Sequence, residues 1–333
     1  MYTEISGRIT DMVKIISSDL PASIEAAATA LIRGDLVAFP TETVYGLGAD
    51  ALNKKAIAKV YKAKARPSNH PLIVHISTID NLSKWAKEVP NDALKIANYV
   101  WPGPLTLILQ KTSIAADFIT GGQDKIGIRI PSHPNSLALL AEFEMKGGLG
   151  IAAPSANRFG AVSPTTAKDV SEELGKYLTE SDLILDGGTC DVGIESTIID
   201  FTLKNPVILR PGKISKELIQ SILGIDIKIS GSTGETKVSG SLDSHYSPKA
   251  KVFLSGIPKP GDGFIALSDV DTPNGVIRLS DPKNNDEFAR TLYAALREAD
   301  HLNLNNVFVC QPIGEGISTA INDRLKKASY SES

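Results

Sequence analysis

The sequence predicts an α/β protein with a mixed sheet, followed by a smaller α/β unit. Helical and strand patterns alternate as far as residue 223. Several strands follow one another without a helix between them, which favours a mixed sheet over a purely parallel one. A stretch rich in Gly, Ser and Thr then separates this region from a second α/β pattern that begins at residue 251.

Hydrophobic periodicity locates the individual elements, and turn residues delimit them. The first helix, for example, has Pro21 at its start and Gly34 after its end. The predicted helices are 21–33, 53–64, 79–89, 91–100, 135–143, 165–174, 215–223, 286–302 and 320–329. The predicted strands are 36–39, 71–76, 105–110, 125–130, 150–155, 182–186, 195–200, 206–210, 251–256, 263–268, 275–280 and 306–310.

This pattern predicts three parts of the chain: a first α/β domain over 10–222, a linker over 223–250, and a C-terminal domain over 251–330. The short strands and few helices of the last part favour a small Rossmann-like unit. A chain of 333 residues is long enough for two such cores.

Composition excludes several classes of protein. The chain is 42% hydrophobic and 22% charged, as expected of a globular protein, and its net charge of -3 argues against coating nucleic acid by bulk electrostatics. We expect no secretory signal, and no membrane span because no run of about 18 apolar residues occurs. Two distant cysteines, Cys190 and Cys310, favour a reducing, cytoplasmic location without structural zinc.

Three common catalytic motifs are missing or incomplete. Neither the phosphate loop GxxxxGK[ST] nor the nucleophile elbow GxSxG occurs, so the sequence favours neither a Walker-type site nor a serine hydrolase. Residues 46–51 match GxGxxA, but a dinucleotide site needs an acidic residue about 20 positions later. Lys64 and Arg66 stand in that region. We therefore interpret residues 46–51 as a tight glycine turn.

The cations of YKAKARPSNHPLIVH are a candidate anion site. Lys64 and Arg66 leave a predicted helix and precede a Pro-bounded strand. In an extended segment, side chains two apart point to the same side, and Arg can hold an anion with two parallel hydrogen bonds. A solvated helix end, where cations are favoured, is the alternative. We favour anion binding for this pair and the solvated interpretation for Lys62.

Polar side chains gather where predicted strands begin or end. Open α/β sheets bind ligands at such positions, although each hydroxyl taken singly is more often a turn or cap residue. The joint pattern therefore predicts a ligand site formed by Thr41, Thr43, Tyr45, Arg129, Ser155, Asn157, Ser163, Ser196, Thr197 and Arg210.

These motifs together resemble the YrdC-like family. PTETVYGLGADA, KAKARP, NHPLIVHI, WPGPLTLIL, IGIRIP, APSANRFGAVSPT, GIESTIID and LRPG occur in the family's order, and HYSPKA with AINDRLKKAS is similar to its longer, two-domain members. The resemblance implies a twisted mixed open sheet with flanking helices and a Rossmann-like C-terminal domain. It also implies a threonylcarbamoyl-AMP synthase, a nucleotidyltransferase that condenses L-threonine, bicarbonate and ATP and releases pyrophosphate.

The resemblance further implies the site residues. Its catalytic set falls on Lys64, Arg66, Ser155 and Asn157. Its ATP contacts fall on Arg66, His70, Ser155, Ser163, Arg210 and Tyr246, with Tyr246 closing over the site. Its threonine contacts fall on Thr41, His75, Arg129, Ala153 and Ser196. Where many relatives carry Asn before PLIVH, this chain has His70.

The resemblance implies partners and a cofactor as well. Mg²⁺ would arrive on the triphosphate, so its protein ligands are left open. The product would pass to a threonylcarbamoyl-transferase complex that modifies the adenosine next to the anticodon of tRNA, with weak direct tRNA binding as a further expectation and no membrane partner.

Two alternatives remain. The first is an RNA-binding module without catalysis, although the chain has only 6% aromatic residues for stacking. The second is a carbamoyl-phosphate-using maturation enzyme with a YrdC-like domain, which would need zinc-finger cysteines and an acylphosphatase segment; this sequence shows neither.

Overall fold

The computed structural model describes residues 13–230, 236–238 and 246–329. We call residues 13–230 the first unit and residues 251–329 the second unit. The first unit contains β1 (Lys14–Ser17), α1 (Pro21–Arg33), β2 (Val37–Phe39), β3 (Gly46–Asp50), α2 (Lys54–Lys64), β4 (Ile73–His75), α3 (Leu82–Trp85), α4 (Asn91–Val100), β5 (Leu105–Gln110), α5 (Asp117–Thr120), β6 (Lys125–Arg129), α6 (Pro134–Met145), β7 (Ile151–Ala152), α7 (Ala167–Leu174), β8 (Leu183–Asp186), β9 (Thr197–Asp200), β10 (Val207–Arg210), α8 (Lys216–Leu223) and β11 (Lys228–Ile229).

The second unit contains β12 (Lys251–Phe253), β13 (Gly263–Ile265), β14 (Ile277–Ser280), α9 (Asn285–His301), β15 (Asn306–Val309) and α10 (Ile317–Ala328). Its strands, in the order β12-β15-β13-β14, pair in parallel throughout. Helices α9 and α10 contribute most of its buried apolar side chains. The predicted Rossmann-like character of this part is confirmed.

Within the described residues, the first unit forms one sheet in the order β1-β8-β2-β3-β7-β4-β6-β5-β9-β10-β11. Parallel pairs such as β4–β6 and β5–β9 alternate with antiparallel pairs such as β5–β6 and β9–β10. The prediction of a mixed sheet is confirmed. No helix in the described part of the chain is long and apolar enough to cross a membrane.

The pairing pattern brings several strand ends to one edge of the sheet. Strands β4 and β6 run in parallel, so His75 and Arg129 face each other at their carboxyl ends. Strand β5 runs opposite to β6, and β9 runs parallel to β5, so β9 begins at this same edge. Strand β10 is antiparallel to β9 and therefore ends there, at Arg210.

The glycine turn predicted for residues 46–51 is wrong, because Gly46–Asp50 forms β3, a strand in the interior of the sheet. The glycines serve close packing rather than turning. A Cβ on Gly48 would lie 2.8 Å from side-chain atoms of both Phe39 and Ile151, on the flanking strands. Sequence periodicity missed this strand because its residues are too small to show an apolar pattern.

The helix predicted for residues 79–89 is also wrong beyond its first half. A 3₁₀ turn covers Ile79–Asn81, and α3 ends at Trp85. Ala86 is extended and bridges to Lys111 on the neighbouring chain segment. The fully buried Trp85 donates its indole N–H to Leu149 O, so tertiary contacts override the helical pattern here.

Parts of the predicted linker pack against the first unit. Thr236 donates its hydroxyl to Asp200 Oδ2 at 2.8 Å, and Val238 is buried against strands β5, β9 and β10. Residues 231–235 and 239–245, also assigned to the linker, lie outside the described residues. The boundaries 10–222, 223–250 and 251–330 remain a prediction.

Candidate active site

A cavity opens at the sheet edge where the strand ends meet. Its empty space, including the part that is open to solvent, is about 540 Å³. Eleven of the predicted site residues line the cavity: Thr41, Thr43, Tyr45, Arg66, His75, Arg129, Ala153, Ser155, Ser196, Arg210 and Tyr246. Topology thus gathers polar groups that lie as far as 205 positions apart, from Thr41 to Tyr246, around one space.

The geometry expected for Lys64 and Arg66 is wrong, although neither head group faces bulk water. Lys64 is the last residue of α2, and Ala65 has a left-handed conformation with φ 49°, so the pair is not extended. Arg66 is 7% exposed, lines the cavity and donates to Pro71 O at 2.9 Å. Burial first, and Arg210 among the nearby charges, lower the pKa of Arg66 to about 10, so the side chain stays charged at neutral pH.

Lys64 holds a loop rather than lining the cavity. Its ammonium donates to the backbone carbonyls of Ser155 and Asn157. The residue is only 1% exposed, and burial, followed by the charge of Arg66, holds its pKa well below the usual value. Lys64 therefore fixes the segment that carries Ser155, which does line the cavity.

Arg129 forms one end of the cavity together with neighbouring groups of the 41–43 segment. Its Nη2 lies 2.7 Å from Glu42 Oε1, and its Nη1 donates to Thr43 Oγ1 at 3.0 Å. Glu42 also accepts from the backbone N–H of Ser132. Arg129 Nε is buried and has no hydrogen-bond partner within the described residues. This donor suits an anionic ligand group, since a buried N–H without an acceptor is costly.

His75 stands beside Arg129 as a neutral group. Burial, and secondarily the charge of Arg129, lower the pKa of His75 to about 3. Its Nδ1 has no hydrogen-bond partner within the described residues, and its ring packs edge-on against Phe39 at 6.0 Å between centroids. The neutral imidazole can therefore offer one polar atom to a ligand without adding charge.

Arg210 and Ser196 form the opposite side of the cavity. Arg210 Nε donates to Ser196 O, and its Nη2 donates to Ser196 Oγ, both at 3.0 Å. The Ser196 hydroxyl also lies 2.8 Å from Thr106 Oγ1. Strands β6 and β10 are three strands apart, so the backbones of Arg129 and Arg210 are separated by roughly 14 Å. The two arginines can therefore address different parts of one ligand set.

Besides Lys64, four predicted site residues do not line the cavity: His70, Asn157, Ser163 and Thr197. The Thr197 hydroxyl donates to Ile214 O at 2.8 Å. The Ser163 hydroxyl donates to Glu195 Oε1 at 2.6 Å. Asn157 donates to the carbonyls of Arg158 and Ala161, while its Oδ1 has no partner within the described residues. The ring of His70 lies 5.2 Å from that of Phe159. In this structure, these side chains contact other protein groups and do not line the cavity.

Sequence analysis missed Glu42 and Glu195. Each acid stands inside a quoted motif, PTETVYG or GIESTIID, beside hydroxyl residues that were selected. Both are buried and both contact an arginine side chain: Glu42 pairs with Arg129, and Glu195 pairs with Arg324. The sequence feature that could have identified these two acids is their position at the end of a strand, because a buried carboxylate there needs a cationic partner.

The cavity is electrostatically positive. Among its described lining residues, three arginines face a single carboxylate, that of Glu195. Such a surface favours ligands with several negative charges. The part of the chain that the structure describes contains no group of three or more His, Cys, Asp or Glu side chains able to hold a metal ion.

Comparisons with known proteins agree with this architecture. A family model for Sua5, YciO and YrdC proteins, described as telomere recombination, matches residues 29–212. A second model, described as the C-terminal domain of threonylcarbamoyl-AMP synthase, matches residues 214–329.

Similar proteins cover nearly the whole chain. A threonylcarbamoyl-AMP synthase of Pyrococcus abyssi is 38% identical, covering 92% of this chain and 94% of its own. One of Bacillus subtilis is 36% identical over 96% of both chains. The crystal structure of P. abyssi Sua5 complexed with L-threonine has a TM-score of 0.86 and 35% identity, covering 95% of this chain and 97% of its own. The chain therefore belongs to the Sua5–YciO–YrdC family of adenylyltransferase-type enzymes, among the members with a threonylcarbamoyl-AMP synthase C-terminal domain.

Proposed function

We propose that this enzyme condenses L-threonine, bicarbonate and ATP into threonylcarbamoyl-adenylate and pyrophosphate. The observation that carries the proposal is one positive cavity with arginines at two separated positions, Arg129 and Arg210. One end suits the single carboxylate of an amino acid, and the other, with Arg66, suits phosphates. The P. abyssi relative that was crystallised with L-threonine supports the choice of amino acid.

Arg129 is the proposed ligand of the threonine carboxylate. Glu42 and Thr43 hold two of its nitrogens, and its Nε remains for the substrate. Thr41, His75 and Ala153 would orient the amino and hydroxyl groups of threonine at this end, and Ser196 would reach the amino acid from the Arg210 side of the cavity. Because His75 is neutral, it leaves the positive charge of Arg129 as the anion-binding feature.

Arg66, Ser155, Arg210 and Tyr246 are the proposed nucleotide contacts that line the cavity. His70 and Ser163 remain predicted ATP contacts, which would require movement of their side chains on binding. Lys64 and Asn157 remain in the predicted catalytic set. The contacts of Lys64 support an indirect role, in which it fixes the loop of Ser155.

The reaction balances without a protein nucleophile. The threonine amine adds to the carbon of bicarbonate and loses water, which gives a carbamate. A carbamate oxygen then attacks the α-phosphorus of ATP, the bond to the bridging oxygen breaks, and pyrophosphate leaves with its electron pair. Positioning and neutralisation of phosphate charge are the main catalytic requirements. The carbamate is unstable in water, so a site covered by Tyr246 would protect it.

Mg²⁺ is proposed to enter with the triphosphate. Carboxylates are the protein groups that hold this ion best, but Glu42 and Glu195 are already paired with arginines. The ion would therefore be coordinated by phosphate oxygens and water, and it would neutralise charge on the leaving pyrophosphate.

The product would be passed to a threonylcarbamoyl-transferase complex that modifies the adenosine next to the anticodon of tRNA. We place this step in the cytoplasm, where tRNA and ATP meet. Weak direct binding of tRNA is compatible with this scheme and is a separate prediction, measurable by filter binding.

Pyrophosphate release tests the proposal. Purified protein is supplied with ATP and Mg²⁺, and threonine or bicarbonate is omitted in turn. We expect release that depends on both, and a threonylcarbamoyl-adenylate product visible by mass spectrometry. Release that ignores threonine, or tRNA binding without any turnover, would contradict the proposal and favour the RNA-binding alternative.

A further inference from the structure

Glu195 connects the cavity wall to the second unit. It immediately precedes Ser196 and lines the cavity itself. Its carboxylate accepts from Ser163 Oγ at 2.6 Å through Oε1, and from Tyr293 OH at 2.9 Å and Arg324 Nε at 2.8 Å through Oε2. Tyr293 lies on α9 and Arg324 on α10, so two helices of the second unit reach one acid of the first.

The two units dock tightly around this acid. Val44, Val162 and Ile194 of the first unit share one buried apolar cluster with α9 and α10. Gly193 lies directly against α9, where a Cβ would come within 2.4 Å of Arg290 Cα. The close approach of the backbones leaves the Glu195 side chain only 8% exposed, so its charge must be compensated locally.

Arg324 provides that compensation. Its side chain is fully buried, and it also pairs with Asp323 through Nη1 at 2.6 Å. Its guanidinium lies 5.3 Å from the ring centroid of Tyr246, and that ring stacks on Tyr293 at 5.7 Å. One arginine therefore contacts the acid of the cavity wall and a tyrosine that also lines the cavity.

Arg210 is the other cation that acts on Glu195. Burial would raise the pKa of Glu195, but Arg324 first and Arg210 second lower it to about 2, so the group is a carboxylate. If Arg324 were absent, that negative charge would be compensated chiefly by Arg210. The positive charge available to phosphates would then fall at this end of the cavity.

We propose that Arg324 is a positioning residue for the nucleotide, because it compensates Glu195 from the second unit and thereby leaves the charge of Arg210 to the phosphates. The inference rests on the proposed function for the identity of the ligand. It assigns the second unit an indirect part in nucleotide affinity, beyond holding the linker. The threonine end is formed by contacts within the first unit and should not depend on this arginine.

Binding measurements on the full-length chain test the proposal. In Arg324→Met, we expect the Kd of a non-hydrolysable ATP analogue with Mg²⁺ to rise about tenfold by calorimetry. The Kd of threonine should change by less than about threefold. An unchanged Kd for the analogue, or an equal loss for both ligands, would overturn the inference.

A double variant separates charge compensation from simple packing. Glu195→Gln combined with Arg324→Met removes the unpaired carboxylate and should restore the analogue Kd to within about threefold of the wild type. If the double variant binds no better than Arg324→Met alone, the role is one of packing and the inference fails. Should Arg324→Met not fold, Arg324→Lys, which keeps the charge but not the same donors, should still raise the Kd two- to fivefold; an unchanged Kd overturns the inference.

A matched control is the exposed ion pair between Lys213 and Asp286, which also joins the two units. Lys213→Met should leave both Kd values unchanged, since exposed pairs contribute little. If it weakens the analogue as much as Arg324→Met does, any disturbance of docking is sufficient and the specific role of Arg324 is refuted. These readouts are binding constants, so a wild type that binds both ligands but releases no pyrophosphate would refute the proposed reaction and not this inference.

Discussion

The two ends of the cavity are built in different ways. At the Arg129 end, which comprises Thr41, Glu42, Thr43, His75 and Arg129, every described contact lies within the first unit. At the Arg210 end, which comprises Ser163, Glu195, Arg210, Tyr246, Tyr293 and Arg324, both units contribute to one hydrogen-bonded network. Both ends border the same space, yet only one depends on how the units dock.

This difference indicates which part of the molecule determines the affinity for each substrate. Strand pairing fixes the backbone of the Arg129 end, because His75 and Arg129 are register partners on β4 and β6. The Arg210 end needs helices α9 and α10 to arrive at the correct position. Substitutions at the Arg129 end should therefore change the affinity for threonine, and substitutions at the Arg210 end should change the affinity for the nucleotide.

The largest effect is expected for Arg129→Met. It removes the proposed carboxylate ligand and leaves the Glu42 carboxylate buried without its cation. We expect the KM for threonine to rise about 100-fold, equivalent to about 2.7 kcal/mol. Steady-state pyrophosphate release measures it, with the ATP-analogue Kd as the control that should stay within about threefold. A comparable loss of nucleotide affinity would show that the two ends are not independent.

Tyr246→Ala should give the next largest effect, at the other end. The ring is buried, stacks on Tyr293 and contacts Arg324, and the residue holds a left-handed φ of 63°. We expect kcat/KM for ATP to fall about 30-fold, or about 2 kcal/mol, while threonine affinity is retained. Tyr246→Phe keeps the ring and should lose much less. If the phenylalanine variant is as impaired as the alanine variant, the hydroxyl rather than the ring is responsible.

Glu42→Gln is a milder change at the Arg129 end. The amide keeps the volume and can still accept from Arg129, but it lacks the charge that orients the guanidinium. We expect the KM for threonine to rise about tenfold, about 1.4 kcal/mol. Kinetic measurements at saturating ATP would reveal this. A rise in the KM for ATP instead would contradict the assignment of Glu42 to the threonine end.

The smallest expected effect is a pH dependence of stability caused by His75. Its pKa is about 3 in the folded chain, against about 6.5 when unfolded, so protons bind the unfolded state more readily. The free energy of unfolding therefore has its full value when the pH is above the pKa of His75 in the unfolded chain, and it falls as the pH drops below that pKa. Between pH 7 and 6 the loss should be about 0.7 kcal/mol. Urea unfolding of the wild type and of His75→Gln at several pH values isolates the contribution of His75. An identical pH dependence of stability in the two proteins would refute the prediction.

Sequence patterns predicted most elements because the period of 2 or 3.6 residues is local information. The strand Gly46–Asp50 was missed because packing between β2 and β7 demands small residues. The helix over 79–89 was predicted too long because the burial of Trp85 and the bridge of Ala86 to Lys111 lie outside any local pattern.

Candidate residues at strand ends were identified because polar groups are unusual next to buried strands. That reasoning selected Arg129 and Arg210 but could not show that Glu42 holds one of them. Arg324 shares a helix face with Ala320, Ile321 and Ala328, all buried, and this spacing was visible in the sequence. An arginine among apolar positions signals a buried partner without identifying it.

The sequence by itself determined an α/β chain with a mixed sheet, a second α/β unit, and cations and hydroxyls concentrated where strands begin and end. Only the tertiary structure decided that Lys64 holds a loop, that Arg66 lines the cavity, and that Glu195 meets Arg324 across 129 positions of sequence. The physical reason is the separation along the sequence over which each kind of interaction acts. Periodicity and turn chemistry act over a few residues, whereas the partner of a buried charge is set by the docking of elements that local patterns do not relate.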